Sequence, residues 1–254
     1  MKRLAIFASY DNKGMVHDYV LSYLRFLKEI ADKIIFVADN EVLPEEQAKL
    51  KNLCCHCEFV RHGEYDFGSY KRGFNQAKID GLLSDCDELI LCNDSCFCEF
   101  SFRGVFAAMD EQNCDFWGMT SSNEIKPHLQ SYFLVFRKSV FLSEYFAAFI
   151  NGVEKLDNHD EVILNYEVQL KQFLESKGFI ASAFVEAADA FNITIHNPLS
   201  LLKRGMPLLK KKFFVWGATA KEKPDEVIDF IRENYPSGYN DILTHEKASG
   251  TKLL

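Results

Sequence analysis

Apolar residues fall along the chain in short blocks separated by polar, helix-spaced stretches. Lys2 to Ser9 is a compact apolar run and predicts a first strand. Val16, Tyr19, Val20, Tyr23, Leu24, Leu27 and Ile30 then recur at spacings of three and four, the buried stripe of an amphipathic helix. Lys33 to Ala38 is a β-branched run and predicts a buried strand. Pro44 opens a polar helix through about Leu53, since proline suits a first helical turn. Cys57 to Arg61 predicts a third strand, Gly68 to Leu83 a helix and Glu88 to Cys92 a fourth strand. A helix near Gly104 to Glu111 leads to strands at Asp115 to Gly118 and Ser131 to Phe136. Helices are expected at Val140 to Ile150 and at Asp160 to Lys177, the second stopped by Gly178. A last helix covers Pro224 to Asn234, and the tail from Ser249 to Leu254 is expected to fray.

Strand alternating with helix from the first residue predicts the α/β class. The expected architecture is a single domain over residues 1–197, with a mainly parallel central sheet flanked by helices. A C-terminal basic, helical extension follows over 198–254. Sheets of this kind bind ligands beyond the carboxyl ends of their strands. That rule directs attention to Ser9-Tyr10-Asp11, Arg61 to Gly68, Asn93-Asp94-Ser95 and Met119 to Glu124.

Composition narrows the class. A chain of 254 residues with 48% hydrophobic content can bury a core without disulfides or a structural metal. A net charge of −8 argues against a general nucleic-acid binder. No apolar run is long enough for a membrane-spanning helix. The first apolar run is cut short by Asp11 and Lys13, so it reads as a strand and not as a signal peptide. The eight cysteines read as reduced thiols of a cytoplasmic protein. Cys54-Cys55-His56-Cys57 lacks the ligand spacing of a zinc site and reads as small residues beside a buried strand. The negative balance is uneven. Leu199 to Phe214 carries Lys203, Arg204, Lys210, Lys211 and Lys212 and no carboxylate. Such a segment can lie on an anionic leaflet or pack on the domain with its lysines in water, and both readings stay open.

There is no G-x-G-x-x-G, no G-x-x-x-x-G-K-[ST], no H-E-x-x-H and no G-x-S-x-G. Transferases that use a nucleotide-activated donor remain open. Asn93-Asp94-Ser95 ends the fourth strand, where a carboxylate can hold Mg²⁺ or Mn²⁺ against a diphosphate. An Asp closing a turn is the plainer alternative. Tyr65-Asp66-Phe67-Gly68-Ser69-Tyr70-Lys71-Arg72-Gly73 sets a glycine and two cations at a helix start, which suits an anion or simply a capped, solvated helix. Glu167 sits in a helix anchored by Leu170 and Leu174, as a general base or as an ordinary helical glutamate. His128 and Gln130 stand before a strand, where they can meet substrate or serve structure. Most aromatic residues, Trp117 included, are expected in the core, with sugar stacking a minor alternative.

These pieces resemble the rhamnan synthesis F family of bacterial glycosyltransferases. The resemblance runs through Tyr10-Asp11, Asp18-Tyr19-Val20, Tyr65 to Ser69, Leu89 to Ser95, Cys114 to Gly118, His128 to Arg137 and Tyr166-Glu167-Val168. It spans about residues 4 to 180, and Asn197-Pro198 also fits. It implies a GT-A-type inverting glycosyltransferase that builds surface polysaccharide, with dTDP-L-rhamnose as the expected donor. In that fold a D-x-D motif ends the fourth strand; here the position reads Asn93-Asp94-Ser95, with a single Asp to hold metal. The family's catalytic base falls on Glu167, with Tyr166 where an acid is usual. By the same resemblance Tyr10, Asp11, Asp66, Gly68, Lys71, Asn93, Asp94 and Ser95 are assigned to the donor, with Arg72 beside Lys71. Trp117, Glu124, His128 and Gln130 are assigned to the acceptor. The expected acceptor is a saccharide or lipid-linked saccharide, and the expected place is the cytoplasm, in peripheral contact with the inner face of the membrane. Two other readings stay beside this one: a nucleotidyl or phosphate-group transferase, and an inactive sugar-binding scaffold subunit.

Overall fold

The computed structural model of the chain describes residues 1–216 and 220–250. Strands β1 (Arg3–Ser9), β2 (Lys33–Ala38), β3 (His56–Phe59) and β4 (Glu88–Asn93) pair in parallel, in the spatial order β3-β2-β1-β4. All of β4, and all of β1 after Arg3, is buried. Both faces of these strands are covered, so they read in sequence as unbroken apolar runs. Ala5 and Phe7 join one core with Tyr23, Leu24 and Leu27 of the helix Asp18–Leu27. Leu4 and Ile6 join the other with Phe67, Tyr70 and Phe74 of the helix Tyr65–Ile79.

Beyond β4 the sheet changes sense. Strand β5 (Cys96–Cys98) leaves it, and β6 (Phe116–Ser122), β7 (His128–Leu129) and β8 (Phe133–Arg137) return to it. β8 lies between β4 and β6, antiparallel to both. β7 pairs with the far end of β6, and β9 (Ala181–Val185) joins β6 in parallel. β10 (Leu208–Lys210) pairs with β5 in a separate two-stranded ladder. The result is the expected α/β class: a mixed sheet, mostly parallel, flanked by helices.

Several elements differ from the sequence pattern. The helix after β3 starts at Tyr65, not Gly68, and Tyr65 itself has a φ of 55°. The polar helix at Pro44 ends at Ala48, and Leu50, beyond it, is buried from the turns that follow. The helix expected at Val140 to Ile150 breaks before Ser143, whose hydroxyl accepts the Phe146 N–H at 3.1 Å and caps a new helix, Glu144–Asn151. The segment expected as one helix from Asp160 is His159–Val162, a wide π turn over Ile163–Glu167, and the helix Val168–Glu175.

The basic segment is not helical throughout: β10 lies between the helices Pro198–Lys203 and Lys212–Trp216. Leu201, Leu208 and Phe213 share a core with Phe7 and Trp117. So do Val227 of the helix Pro224–Asn234 and Ile242 of the helix Pro236–Ser249. Gly250, at φ 73°, ends that last helix, and the rest of the expected frayed tail lies outside the described residues. No helix among the described residues is long and apolar enough to cross a membrane.

Candidate functional site

Strands β1 and β4 run side by side in register, with Ala8 opposite Asn93, so their carboxyl ends open at the same edge of the sheet. A cavity of about 530 Å³ lies there. Asp66, Asn93 and Ser95 line one side of it. Glu124, His128, Gln130 and Glu167 line it as well, so seven of the residues singled out in the sequence share one space.

Local hydrogen bonds fix these groups. Asn93 Oδ1 accepts from the Ser95 hydroxyl at 2.6 Å and from its N–H at 3.1 Å. Asn93 Nδ2 donates to Asp66 Oδ2 at 2.6 Å. Burial and the nearby charge of Asp94 push the Asp66 carboxyl up to about 7, against Lys210 and the Asn93 hydrogen bond. The helix bearing Asp66 begins at Tyr65, whose left-handed backbone is uncommon for a residue with a side chain and lines the same cavity.

Glu167 closes the π turn, a helix distortion frequent at functional sites. The Ser131 N–H donates to its Oε2 at 2.7 Å, and the Ser131 hydroxyl donates to the same oxygen. Its Oε1 lies 3.6 Å from His128 Nε2. Burial opposes the charge, but His128, the two Ser131 donors and Lys210 outweigh it and bring the carboxyl down to about 2. His128 Nδ1 lies 2.7 Å from the Lys126 carbonyl. That carbonyl fixes Nδ1 as the protonated nitrogen and turns Nε2 toward Glu167. Burial disfavours the imidazolium, yet Glu167 and the Lys126 carbonyl raise the His128 pKa. Gln130 Oε1 accepts from Thr120 at 2.7 Å, and Glu124 Oε2 accepts from Asn192 at 2.8 Å.

Other residues singled out in the sequence lie elsewhere. Trp117 is 1% exposed and packs on Phe106 and Phe133 inside the core, so it offers no face for a sugar. Lys71 is paired with Glu64 at 2.9 Å and donates to the Val153 carbonyl, and Arg72 is paired with Glu64 at 2.7 Å. Their charge is spent on that glutamate and not on the cavity. Gly68 lies within the helix, where a Cβ would collide with Glu64; close packing and not anion approach accounts for it. Asp11 accepts from the N–H groups of Lys13 and Met15 and lies 3.0 Å from His17 Nε2, closing its own loop. Tyr10 is exposed, with Arg61 stacked on its ring. Asp94 turns Oδ2 to the Ser9 hydroxyl at 2.8 Å and to the Tyr10 N–H at 3.1 Å, and stands in sequence between two residues that line the cavity, Asn93 and Ser95.

The sequence reading also passed over groups that line the cavity: Lys210, Lys212, His159, Asn192, His196 and Trp216. The run Lys210-Lys211-Lys212 was the available signal, read there as a membrane or solvent face.

The cleft at the carboxyl edge of this mixed α/β sheet thus gathers carboxylates, imidazoles and lysines in one space. The chain belongs to the rhamnan synthesis protein F family, whose model matches residues 34–251. It is 27% identical over 250 residues to virulence protein VirA of Vibrio anguillarum, covering 83% of this chain and 79% of that one. Among solved structures it is similar to a putative glucose-1-phosphate thymidylyltransferase from Bacillus anthracis. There the TM-score is 0.47 at 9% identity, covering 73% of this chain and 87% of that one. It is also similar to core-mannan synthase A from Aspergillus fumigatus in its Mn/GDP form. That match has a TM-score of 0.36 at 12% identity and covers 58% and 63% of the two chains.

Proposed function

We propose that this protein is a glycosyltransferase that moves a sugar from a nucleotide donor to a saccharide or lipid-linked saccharide in the building of surface polysaccharide. dTDP-L-rhamnose is the proposed donor, and the reaction a single displacement with inversion at the anomeric carbon. The observation that carries the reading is the placement of Glu167 in the same cavity as Asp66, Asn93 and Ser95 at the end of β4, in a chain of this family.

In this reading the acceptor hydroxyl lies against Glu167 Oε1, since Ser131 occupies Oε2 twice. A carboxylate held near 2 is ionised at any working pH but accepts a proton weakly. The acceptor oxygen grows acidic only as it bonds to the sugar, so the proton leaves late, with bond formation well advanced. His128, Gln130 and Glu124 orient the acceptor.

Asp94 is the proposed holder of Mg²⁺ or Mn²⁺. Its Oδ1 is unused by the hydrogen bonds that hold Oδ2, and Asp66, which feels the charge of Asp94, would be the second carboxylate available to a cation. Among the described residues no group of three or more His, Cys, Asp or Glu side chains could hold a metal. Two carboxylates completed by diphosphate oxygens would suit Mg²⁺. Such an ion would supply positive charge to the departing diphosphate.

The test is purified protein with a panel of nucleotide sugars, reading released nucleoside diphosphate. Release with dTDP-L-rhamnose and an acceptor supports the reading. Pyrophosphate release from a nucleoside triphosphate and a sugar 1-phosphate would replace it with nucleotidyl transfer. Saccharide binding with no turnover on any donor would replace it with a scaffold.

A further inference from the structure

Two ammonium groups reach the cavity from late in the chain. β10 pairs antiparallel with β5, placing Lys210 opposite Cys96, and the Lys211 N–H donates to the Ser95 carbonyl at 2.9 Å. This ladder presses residues 210–212 against the turn that follows β4. Lys210 Nζ donates to the Ser95 hydroxyl at 3.1 Å and stands 4.3 Å from the centre of the Tyr132 ring. Lys212 Nζ lies 5.2 Å from the centre of the Trp216 ring at the cavity mouth.

Both sets of partners are neutral. Among the described residues neither ammonium forms an ion pair, whereas Lys71 and Arg72 share Glu64. Among the described residues no cavity carboxylate accepts a hydrogen bond from either lysine: Glu167 is held by Ser131, Asp66 by Asn93 and Glu124 by Asn192, while Glu167, Asp66 and Asp160 act on the ammoniums only through space. Two cations side by side repel one another, and partial burial with that repulsion lowers the Lys212 ammonium. An anion bridging them would relieve both costs.

We propose that Lys210 and Lys212 seat the diphosphate of the nucleotide donor and hold it as it departs. This rests on the glycosyltransferase reading above. In the displacement the bond from the anomeric carbon to the diphosphate oxygen breaks, and its electron pair leaves on that oxygen. The acceptor oxygen forms the new bond, and its proton passes to Glu167. The two ammoniums oppose the charge that grows on the leaving group, and no proton transfer to it is required.

The test is calorimetric titration of the full chain with inorganic pyrophosphate in EDTA. The wild type is expected to bind. Lys210→Gln and Lys212→Gln should each weaken binding by about 10- to 100-fold, as for loss of one hydrogen bond to a charged group. Lys212 stands at the mouth, so its variant folds even where Lys210→Gln does not. Lys203→Gln, the same charge change in the same basic segment, should bind as the wild type does. Arginine at 210 or 212 should recover most of the affinity. No wild-type binding, unchanged binding in both glutamine variants, or equal loss in Lys203→Gln overturns the proposal. The two readings fail separately. Pyrophosphate binding in this pattern with no nucleotide sugar bound or turned over removes the donor reading and leaves an anion seat. Turnover with unchanged KM and kcat in both variants removes the seat and leaves the donor reading.

Discussion

Ser131 holds one oxygen of Glu167 with two donors, its backbone N–H and its hydroxyl, and leaves the other oxygen toward His128 and the cavity. The glutamate is thereby fixed in both position and charge.

Glu167→Gln should lower turnover by about 10²- to 10⁴-fold, the usual cost of losing a general base. The amide oxygen can still accept from Ser131, so the fold and donor affinity should hold. Steady-state kinetics beside nucleotide titration checks this. A near wild-type rate, or joint loss of donor affinity and thermal stability, makes Glu167 structural and sends the search to Glu124, which lines the same cavity.

Glu99 sets an alkaline limit on stability. It is 5% exposed, and neither carboxyl oxygen has a hydrogen-bond partner. Gly238 of the last helix approaches so closely that a Cβ there would strike the carboxylate. Burial, then the charge of Asp241, pushes the Glu99 carboxyl from 4.5 up to about 8. Between those values the folded chain keeps a proton that the unfolded chain has released, so stability falls as pH rises from about 4.5 to 8 and levels off above. Glu99→Gln should therefore melt higher than the wild type at pH 8.5, and close to it at pH 4. Each kcal/mol is worth roughly 2–4 °C in a chain of this size. Parallel melting curves of the two proteins at all pH values would remove Glu99 from the account.

Chelation tests the cation at Asp94. EDTA should lower donor-nucleotide affinity without abolishing it, because the lysines remain. Asp94→Asn in the presence of Mg²⁺ should match the EDTA result, since the amide oxygen can still accept from Ser9 and Tyr10. Equal affinity with and without metal would leave Asp94 as the group that ties β4 to β1.

Membrane contact by the basic segment should be weak. Lys210 and Lys212 line the cavity, and Lys211 donates to the Tyr19 hydroxyl at 2.6 Å. Lys203 and Arg204 remain outward, and at about 1 kcal/mol for each basic residue near an anionic surface they give only salt-sensitive attachment. Flotation with anionic vesicles should succeed at low salt and fail at physiological salt. Flotation that survives high salt would point to apolar insertion, for which the exposed Val215 and Trp216 are the nearest groups.

Why some of this was legible follows from how each element is stabilised. β1, β2, β4 and the helix Asp18–Leu27 are buried along their length, so their apolar spacing records the fold directly. Asn93 could be found because the end of a buried strand marks itself locally, and Asp66 because it stands beside the glycine and cations of a turn, although the helix there starts three residues earlier than its pattern suggests. β5 and β10 are only three residues long and exist through each other, which no local pattern reports. Glu167 was singled out by the family resemblance beside the spacing of Leu170 and Leu174, but the π turn before it and the Ser131 clamp depend on distant packing. Trp117 shows the converse: an aromatic at a tempting place is core when phenylalanines from two elements surround it.

The ladder between β5 and β10 also fixes a timetable. Ser95 and Lys210 are 115 positions apart. At about 5–20 residues per second of synthesis, the Asn93-Asp94-Ser95 turn leaves the ribosome roughly 6 to 23 seconds before its lysines do. Glu167 follows Ser95 and precedes Lys210, so late in that interval the nascent chain carries both Asp66 and Glu167 without the lysine whose charge favours the ionised form of each. Under the proposed function, the anion seat is complete only once residues 210–212 have been made and paired with β5.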